Sequence, residues 1–205
     1  MGLEEYHALV AKVDAFTDQV SSRRAQDLAC RKGCSLCCQT WLSVSLPEAH
    51  AIREALSALP PARQLELRSR GLAEQERAGR GESPERCAML DEDGSCAIYE
   101  HRPLVCRTQG HALRYPRGLV PVAAIRAKVG QGTVTYCPLN YQDAPPTGPD
   151  VLDAERVDQI LAVVSHRFAE SSGEDPGQRT AISQLAAESH VLACEHPHER
   201  SRQRE

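Results

Sequence analysis

Residues 30 to 38 read CRKGCSLCC, so four of the nine residues in this stretch are cysteines. If the stretch is helical, the four cysteines fall at i, i+4, i+7 and i+8, on one stripe of the helix, at about 100° per residue. Gly33 disfavours a helix by about 1 kcal/mol relative to alanine, and it equally suits a tight metal-binding turn with a sharply bent backbone. Both conformations stay open. We expect the adjacent side chains of Cys37 and Cys38 to diverge and to serve different metals or different corners of one cluster.

A second cysteine region, CAMLDEDGSCAIYEHRPLVCR, covers residues 87 to 107, and a further cysteine follows at position 137. Of the nine cysteines in the chain, Cys194 is left over. A structural zinc site or an iron–sulfur cluster typically takes four thiolates. Eight thiolates fit two such sites, one larger multinuclear site, or one site with spare thiols, and the sequence does not partition them. The metal ligands that we predict are Cys30, Cys34, Cys37, Cys38, Cys87, Cys96, Cys106 and Cys137.

Basic residues near the cysteines indicate how thiolate charge could be balanced. A buried group of thiolates needs metal ions and hydrogen-bond donors to offset its negative charge. Arg102 and Arg107 bracket Cys106 and are the best candidates for this role. His111 is expected to be a solvent-facing loop residue, and Trp41, the only tryptophan, is expected to anchor the core.

Composition excludes several classes of function. The chain has 205 residues, a net charge of −4 and an isoelectric point near 6.1, so we predict no nucleic-acid partner. No run approaches about 18 consecutive apolar residues, and the acidic N-terminus lacks the pattern of a secretory signal. We therefore expect a cytoplasmic protein that does not bind membranes. In a reducing compartment, clustered cysteines are more often metal-binding or catalytic than disulfide-bonded.

Hydrophobic periodicity predicts a mainly α protein, with helices around an irregular, cysteine-rich metal-binding centre and one short β-hairpin. A capping box formed by Ser45 and Glu48, with Pro47 in the first turn, predicts a helix start near Leu46. The predicted helices cover residues 3–29, 46–59, 60–79, 152–170 and 177–194, and the hairpin lies within 118–137. The predicted organisation is a cysteine-cluster domain (1–142), a proline-rich linker (143–150), a C-terminal helical segment (151–195) and a disordered tail (196–205).

Two motifs are similar to those of a known family. CRKGCSLCC resembles the first signature of the YkgJ-like cysteine-cluster family, the CxxCxxCC zinc- or iron-chelating domain, and GSCAIYEHRPLVCR resembles its second. The resemblance covers roughly residues 28 to 140. This chain departs from the family in its C-x3-C spacing and in having Ala88 where the family often has proline. The resemblance implies zinc or iron chelation by Cys30, Cys34, Cys37, Cys38, Cys87, Cys96 and Cys106, whereas Cys137 is inferred from composition.

Motifs for catalysis are absent: the sequence has no GxGxxG, P-loop, HExxH or nucleophile elbow. We therefore favour a binding protein over an enzyme, one that chelates zinc or iron through cysteine thiolates for metal handling, sensing or structure. An iron–sulfur cluster is one form that the bound iron could take. One alternative is a cluster-dependent redox or methyltransferase-like enzyme, since a related domain occurs in flagellin lysine methylases. Another is a zinc-stabilised module that presents helices to an unknown protein partner.

Overall fold

The computed structural model describes residues 2–116, 125–129 and 132–189. Its helices are α1 (Glu4–Arg23), α2 (Leu46–Ser57), α3 (Pro61–Gly79), α4 (Leu104–Thr108), α5 (Ala154–Ser172) and α6 (Ile182–Ala187). Its strands are β1 (Ser43–Ser45), β2 (Ala112–Arg114), β3 (Ile125–Val129), β4 (Gly132–Tyr136), β5 (Val151–Asp153) and β6 (Arg179–Ala181). The mainly α prediction is confirmed. None of the helices in the described ranges is long and apolar enough to cross a membrane.

The strands form two small sheets. β1 and β6 pair antiparallel, and the other four strands are ordered β3-β4-β2-β5, with β5 parallel to β2. The hairpin predicted within 118–137 is confirmed for β3 and β4, which pair antiparallel, while residues 117–124 and 130–131 lie outside the described residues. Beyond that hairpin, the sequence did not indicate the other short strands, because each has only three residues.

Local signals set the helix ends. The predicted capping box starts α2, with the Ser45 hydroxyl and backbone N–H both donating to the Glu48 carboxylate at 2.8 Å. Asp153 caps α5 by accepting from the Arg156 backbone N–H, and Gly173 ends it in the left-handed conformation that glycine adopts without strain. The first helix ends at Arg23, before the predicted limit of residue 29.

At the C-terminus, the predicted helix 177–194 is wrong in its first part, since residues 179–181 form β6 and α6 begins at Ile182. The prediction is confirmed for Ile182–Ala187, whereas residues 190–194 of the predicted helix and the predicted disordered tail (196–205) lie outside the described part of the chain.

Two main cores carry the cysteine region between them. The first joins α2, α3 and α6 to the loop of residues 88–98, and Cys87, Cys96 and Cys106 pack against it. The second joins α1, α2, α4 and α5. α3 and α6 approach closely because position 71 is glycine: a Cβ there would lie 2.5 Å from the Ala187 nitrogen. The cysteine loops therefore rest on closely packed helices.

Trp41 does not anchor the core, contrary to the sequence-based expectation. It is 41% exposed, and its indole N–H donates to Glu74 Oε2 of α3 at 3.0 Å. A tryptophan N–H needs a partner when it is partly buried, and here the partner is the carboxylate of Glu74, which is itself 7% exposed. Trp41 therefore closes one side of the loop that follows the first cysteine cluster.

Residues 143–150, predicted as a linker, are held by polar contacts with the chain that follows α1. Asp150 is 2% exposed and accepts hydrogen bonds from Arg24 Nε and Nη2 at 3.0 and 2.8 Å. It also accepts from the Thr147 hydroxyl at 2.9 Å. β5 follows directly and joins the larger sheet. The division of the chain into domain, linker and helical segment stays a prediction.

Candidate metal centre

The first cysteine segment is a tight turn rather than an α-helix. Gly33 has a φ of +90°, which favours glycine, and the Cys34 N–H donates to the Arg31 carbonyl at 2.9 Å. Residues Leu36–Cys38 then form a single turn of 3-10 helix. Of the two conformations left open by the sequence, the structure has the bent, knuckle-like one.

The second cysteine segment packs directly on the first. The Cys87 N–H donates to the Cys38 carbonyl at 2.7 Å, and an isolated bridge pairs Leu90 with Cys96. The turn of residues 91–95, with the sequence DEDGS, lies against Gly33. A Cβ on Gly94 would lie 2.7 Å from the Gly33 carbonyl oxygen. Two glycines with positive φ therefore let the two cysteine loops touch through their backbones.

The third segment is α4, which carries Cys106. Its first residue, Leu104, donates its backbone N–H to Glu48 Oε1 at 2.9 Å. Glu48 is 3% exposed and also caps α2 through Ser45. One buried carboxylate therefore sets the position of α4 relative to α2. The sequence showed the capping role of Glu48 but not this second contact.

Six of the eight predicted ligands surround one cavity of about 70 Å³, which we call the thiol cavity. Its apolar walls include Met89, Ile98 and Ile182. Within the described residues, no three Cys, His, Asp or Glu side chains are already arranged to hold a metal ion. The thiols thus line a common space without converging on one point. The cysteines of the thiol cavity are Cys34, Cys37, Cys38, Cys87, Cys96 and Cys106.

Cys37 and Cys38 both face this cavity, contrary to the expectation that their side chains diverge. The 3-10 turn brings the two thiols within hydrogen-bond reach, and this hydrogen bond is the main reason that the pKa of Cys37 is raised. Whether they serve different metals stays a prediction.

Burial favours the protonated form of three cavity thiols, those of Cys87, Cys96 and Cys106. It raises the pKa of Cys87 to about 11 and also raises the pKa of Cys96 and Cys106. The positive charge of Arg102 offsets part of the rise at Cys96 and Cys106. Because metal ligands must be thiolates, metal binding here would displace protons.

The two predicted charge-balancing arginines lie in different places. Arg102 lines the thiol cavity; its guanidinium stacks 3.7 Å over the Tyr99 ring, and its Nε donates to the Tyr99 carbonyl at 2.9 Å. Arg107 instead donates to the Arg102 carbonyl at 2.6 Å and forms an ion pair with Asp14 of α1 at 2.7 Å. Arg102 thus presents a charge to the thiols, whereas Arg107 fixes the backbone that carries Arg102.

Cys30 and Cys137, the other two predicted ligands, are not among the residues that line the thiol cavity. They lie together around Gly110 and Asn140. Asn140 donates to Cys30 Sγ at 3.2 Å and to the Gly110 carbonyl at 2.7 Å. Burial raises the pKa of Cys30, and the Asn140 hydrogen bond opposes this rise. No local signal in the sequence pointed to Asn140, because its partners are distant along the chain.

His111 is buried, at 7% exposure, so the expectation of a solvent-facing residue is wrong. His111 directly precedes β2, and the first two residues of that strand, Ala112 and Leu113, are also buried. His111 is therefore buried together with the start of the strand. Burial lowers the pKa of His111, and its Nδ1 has no hydrogen-bond partner in the described part of the chain. His111 is not among the residues that line the thiol cavity.

Soft thiolate donors around a small cavity are typical of a protein that binds zinc or iron. The chain belongs to the family described as "CxxCxxCC: Putative zinc- or iron-chelating domain", whose model matches residues 29–135. This membership supports zinc or iron binding by the chain. No curated protein and no solved structure matches it.

Proposed function

We propose that the thiol cavity chelates zinc or iron and that the bound metal stabilises the fold. The observation that carries this proposal is that thiols from three separate chain segments line one cavity beside the guanidinium of Arg102. Thiolates are soft ligands that select zinc and iron, and one arginine offsets part of the charge that they acquire.

A structural role fits the surroundings of the cavity. Between the loops that carry Cys34 and Cys87, the described residues show one backbone hydrogen bond, from the Cys87 N–H to the Cys38 carbonyl. A metal that bridges these loops and α4 would tie them to the first core, against which Cys87 and Cys106 pack. Its binding free energy would then be part of the folding free energy.

Bare ions and an iron–sulfur cluster are each favoured by one observation. The cavity of about 70 Å³ exceeds the roughly 10–15 Å³ that one water molecule requires on the same measure, which leaves room for metal ions. Six thiols line the cavity, which is enough for the four thiolates that an iron–sulfur cluster takes. Both forms use the same six cysteines.

Metal analysis and an absorption spectrum of anaerobically purified protein test the proposal. Stoichiometric zinc in a colourless protein supports the bare-ion form, and broad visible absorption with iron and sulfide supports the cluster. Cys96→Ser and Cys106→Ser should each lower the metal content. The matched control is Ser95→Ala, since Ser95 is next to Cys96 but bonds to Asp93. A metal-free protein, or full metal content in both cysteine variants, contradicts the proposal.

A second candidate, a cluster-dependent enzyme, is favoured by a groove of about 660 Å³. Leu104 and Thr108 of α4 line this groove, while Cys106 of the same helix lines the thiol cavity. A volume of several hundred Å³ is typical of small-molecule sites. Calorimetry with an adenosyl cofactor tests the methyltransferase-like form, and absence of binding to the metal-loaded protein contradicts it.

A further inference from the structure

The groove of about 660 Å³ beside α4 has mostly apolar walls, which include Leu113 of β2, Leu152 of β5 and Leu161 of α5. Tyr115 lines it as well. A concave space of several hundred Å³ with apolar walls and a few polar groups is typical of a site for a small organic ligand. The polar groups in such a site determine which chemical class of ligand it binds.

Ser165 of α5 brings an unpartnered hydroxyl to the groove. The residue is 3% exposed and lines the groove, yet its hydroxyl has no hydrogen-bond partner in the described part of the chain. The hydroxyls of Ser22 and Ser57, in α1 and α2, instead donate to carbonyl oxygens of their own helices. An unmade hydrogen bond at a buried polar group costs free energy, and a ligand that bonds to Ser165 would remove this cost.

Asp158 is a second unpartnered group on the same face of α5. It precedes Ser165 by two helical turns, and both residues line the groove. Within the described residues, the Asp158 carboxylate forms no hydrogen bond and no ion pair. Partial burial raises its pKa, because burial disfavours the charged form of a carboxyl group. A cation beside Asp158 would favour the charged form again.

The charges around the groove favour a cationic ligand. Glu48 lines the groove at 3% exposure and forms no ion pair within the described residues, and its negative charge adds to the rise in the pKa of Asp158. Arg179 opposes this rise, but its guanidinium already donates to the hydroxyl and the carbonyl oxygen of Ser43. Arg179 and His166, the basic residues that line the groove, are both exposed. A buried carboxylate attracts a cation more strongly than one surrounded by water does, so the groove complements a positive charge on an apolar body.

We propose that this groove binds an organic ammonium ion that has an apolar chain and a second hydrogen-bonding group near the other end of that chain. The ammonium group pairs with Asp158, the chain packs between α4 and α5, and the second group bonds to the Ser165 hydroxyl. Asp158 and Ser165 lie about 10 Å apart along the helix axis, at about 1.5 Å per residue, which sets the separation of the two groups in the ligand. This inference rests on the groove that favours the second candidate function, and it requires neither an adenosyl cofactor nor a bound metal.

Isothermal titration calorimetry of the full chain with three matched probes tests this proposal. The probe ω-aminooctanol carries both groups, octylamine lacks the hydroxyl, and α,ω-octanediol lacks the charge. We expect ω-aminooctanol to bind at least about 10-fold more tightly than the diol, since hydrogen bonds to charged groups are the stronger ones, and about 3-fold more tightly than octylamine. Asp158→Asn should abolish the advantage over the diol, and Ser165→Ala should abolish the advantage over octylamine.

Matched variants locate the binding, with circular dichroism to verify that each is folded. Glu155→Gln removes an exposed carboxylate of α5 that is not among the groove residues, and it should leave all three affinities unchanged. Ala162→Trp should block binding by filling the groove that Ala162 lines, whereas Val163→Trp, at a position 53% exposed and outside the groove, should not.

The proposal is overturned if the diol binds as tightly as ω-aminooctanol, if either preference survives its variant, if Glu155→Gln weakens binding as much as Asp158→Asn, or if no probe binds. Because the titrations contain no adenosyl cofactor and use samples of equal metal content, their failure is distinguishable from a failure of the proposed function.

Discussion

The backbone N–H of Cys87 donates a 2.7 Å hydrogen bond to the carbonyl oxygen of Cys38. This contact joins the two cysteine segments through main-chain atoms alone. It therefore does not depend on side-chain identity, and serine can replace either cysteine without removing it. The thiols of the cavity can consequently be tested one at a time while the two loops stay in contact.

We expect removal of the metal by a strong chelator to unfold at least part of residues 28 to 140. Apparent binding free energies of structural zinc are about 10–16 kcal/mol, whereas the net stability of a domain is about 5–15 kcal/mol. Far-ultraviolet circular dichroism and thermal melting, with and without chelator, measure the effect, and re-added metal is the control. An unchanged melting temperature in a verified metal-free sample would show that the site is not structural.

Replacing Arg102 with glutamine should weaken metal binding by about 10- to 100-fold, the usual effect of losing a group that supports the ligands of a metal. Arg102 lines the thiol cavity, and its positive charge favours the thiolate forms of Cys96 and Cys106. Competition with a chromophoric chelator measures the affinity. Arg53→Gln removes the same charge from an ion pair with Glu188, outside the cavity, and should leave the affinity unchanged; equal losses in both variants would argue for a general charge effect.

Glu48→Gln should destabilise the protein by roughly 1–3 kcal/mol, since hydrogen bonds to a buried charged group are among the stronger ones. The carboxylate accepts from the Ser45 hydroxyl and from the backbone N–H groups of Ser45 and Leu104. Urea unfolding of the metal-loaded protein gives the change. Glu54→Gln, at an exposed position of the same helix, should change the stability by less than about 0.5 kcal/mol.

Asp150 should make stability depend on pH in the acid range. Burial tends to raise its pKa, but hydrogen bonds from Arg24 and Thr147 outweigh this and lower it to about 2 from an ordinary value of 3.8. The carboxylate thus contributes stability above about pH 4, and this contribution of roughly 2 kcal/mol is lost as the pH falls towards 2. Asp150→Asn should therefore be less stable than wild type at pH 7 and nearly equal near pH 2.

Urea unfolding across this pH range checks the Asp150 prediction. Asp143→Asn, at an exposed position of the same segment, is the matched control and should follow the wild-type pH profile. A constant difference between Asp150→Asn and wild type from pH 7 to pH 2 would contradict the ionic explanation.

Gly71→Ala should destabilise the contact between α3 and α6. Its Cβ would lie 2.5 Å from the Ala187 nitrogen and 2.6 Å from the Ser183 carbonyl oxygen, so backbone must shift. We expect a loss of about 1–3 kcal/mol, as for other overpacked sites. Gly79→Ala in the same helix has open space around it and should be neutral or stabilising. Thermal melting of the two variants gives the comparison, and equal melting temperatures would contradict the close packing.

The sequence predicts features that depend on neighbouring residues. The capping box of Ser45 and Glu48 and the helix start near Leu46 follow from local signals, and both are present. The cysteine pattern likewise identified the family that matches residues 29–135. These successes share one cause, because each signal lies within a few positions of the element that it determines.

Features that depend on distant partners could not be predicted. Trp41 donates to the buried carboxylate of Glu74 instead of entering the core, and His111 is buried in advance of β2. Asn140 contacts Cys30 over 110 positions of chain. Hydrophobicity and periodicity give no information on such pairings, since these partners meet only in the folded chain. The meeting of Cys30 and Cys137 around Gly110 is of the same kind.

The spread of the cavity cysteines over three segments also fixes an order of events during synthesis. The chain leaves the ribosome from its N-terminus, so Cys34, Cys37 and Cys38 emerge well before Cys87, and Cys106 emerges last. On the proposed function, a nascent chain therefore displays an incomplete set of donors for as long as the intervening α2 and α3 are being translated. On that proposal, full occupancy by the metal becomes possible only after α4 has emerged and docked, so metal loading must follow the synthesis of about the first half of the chain.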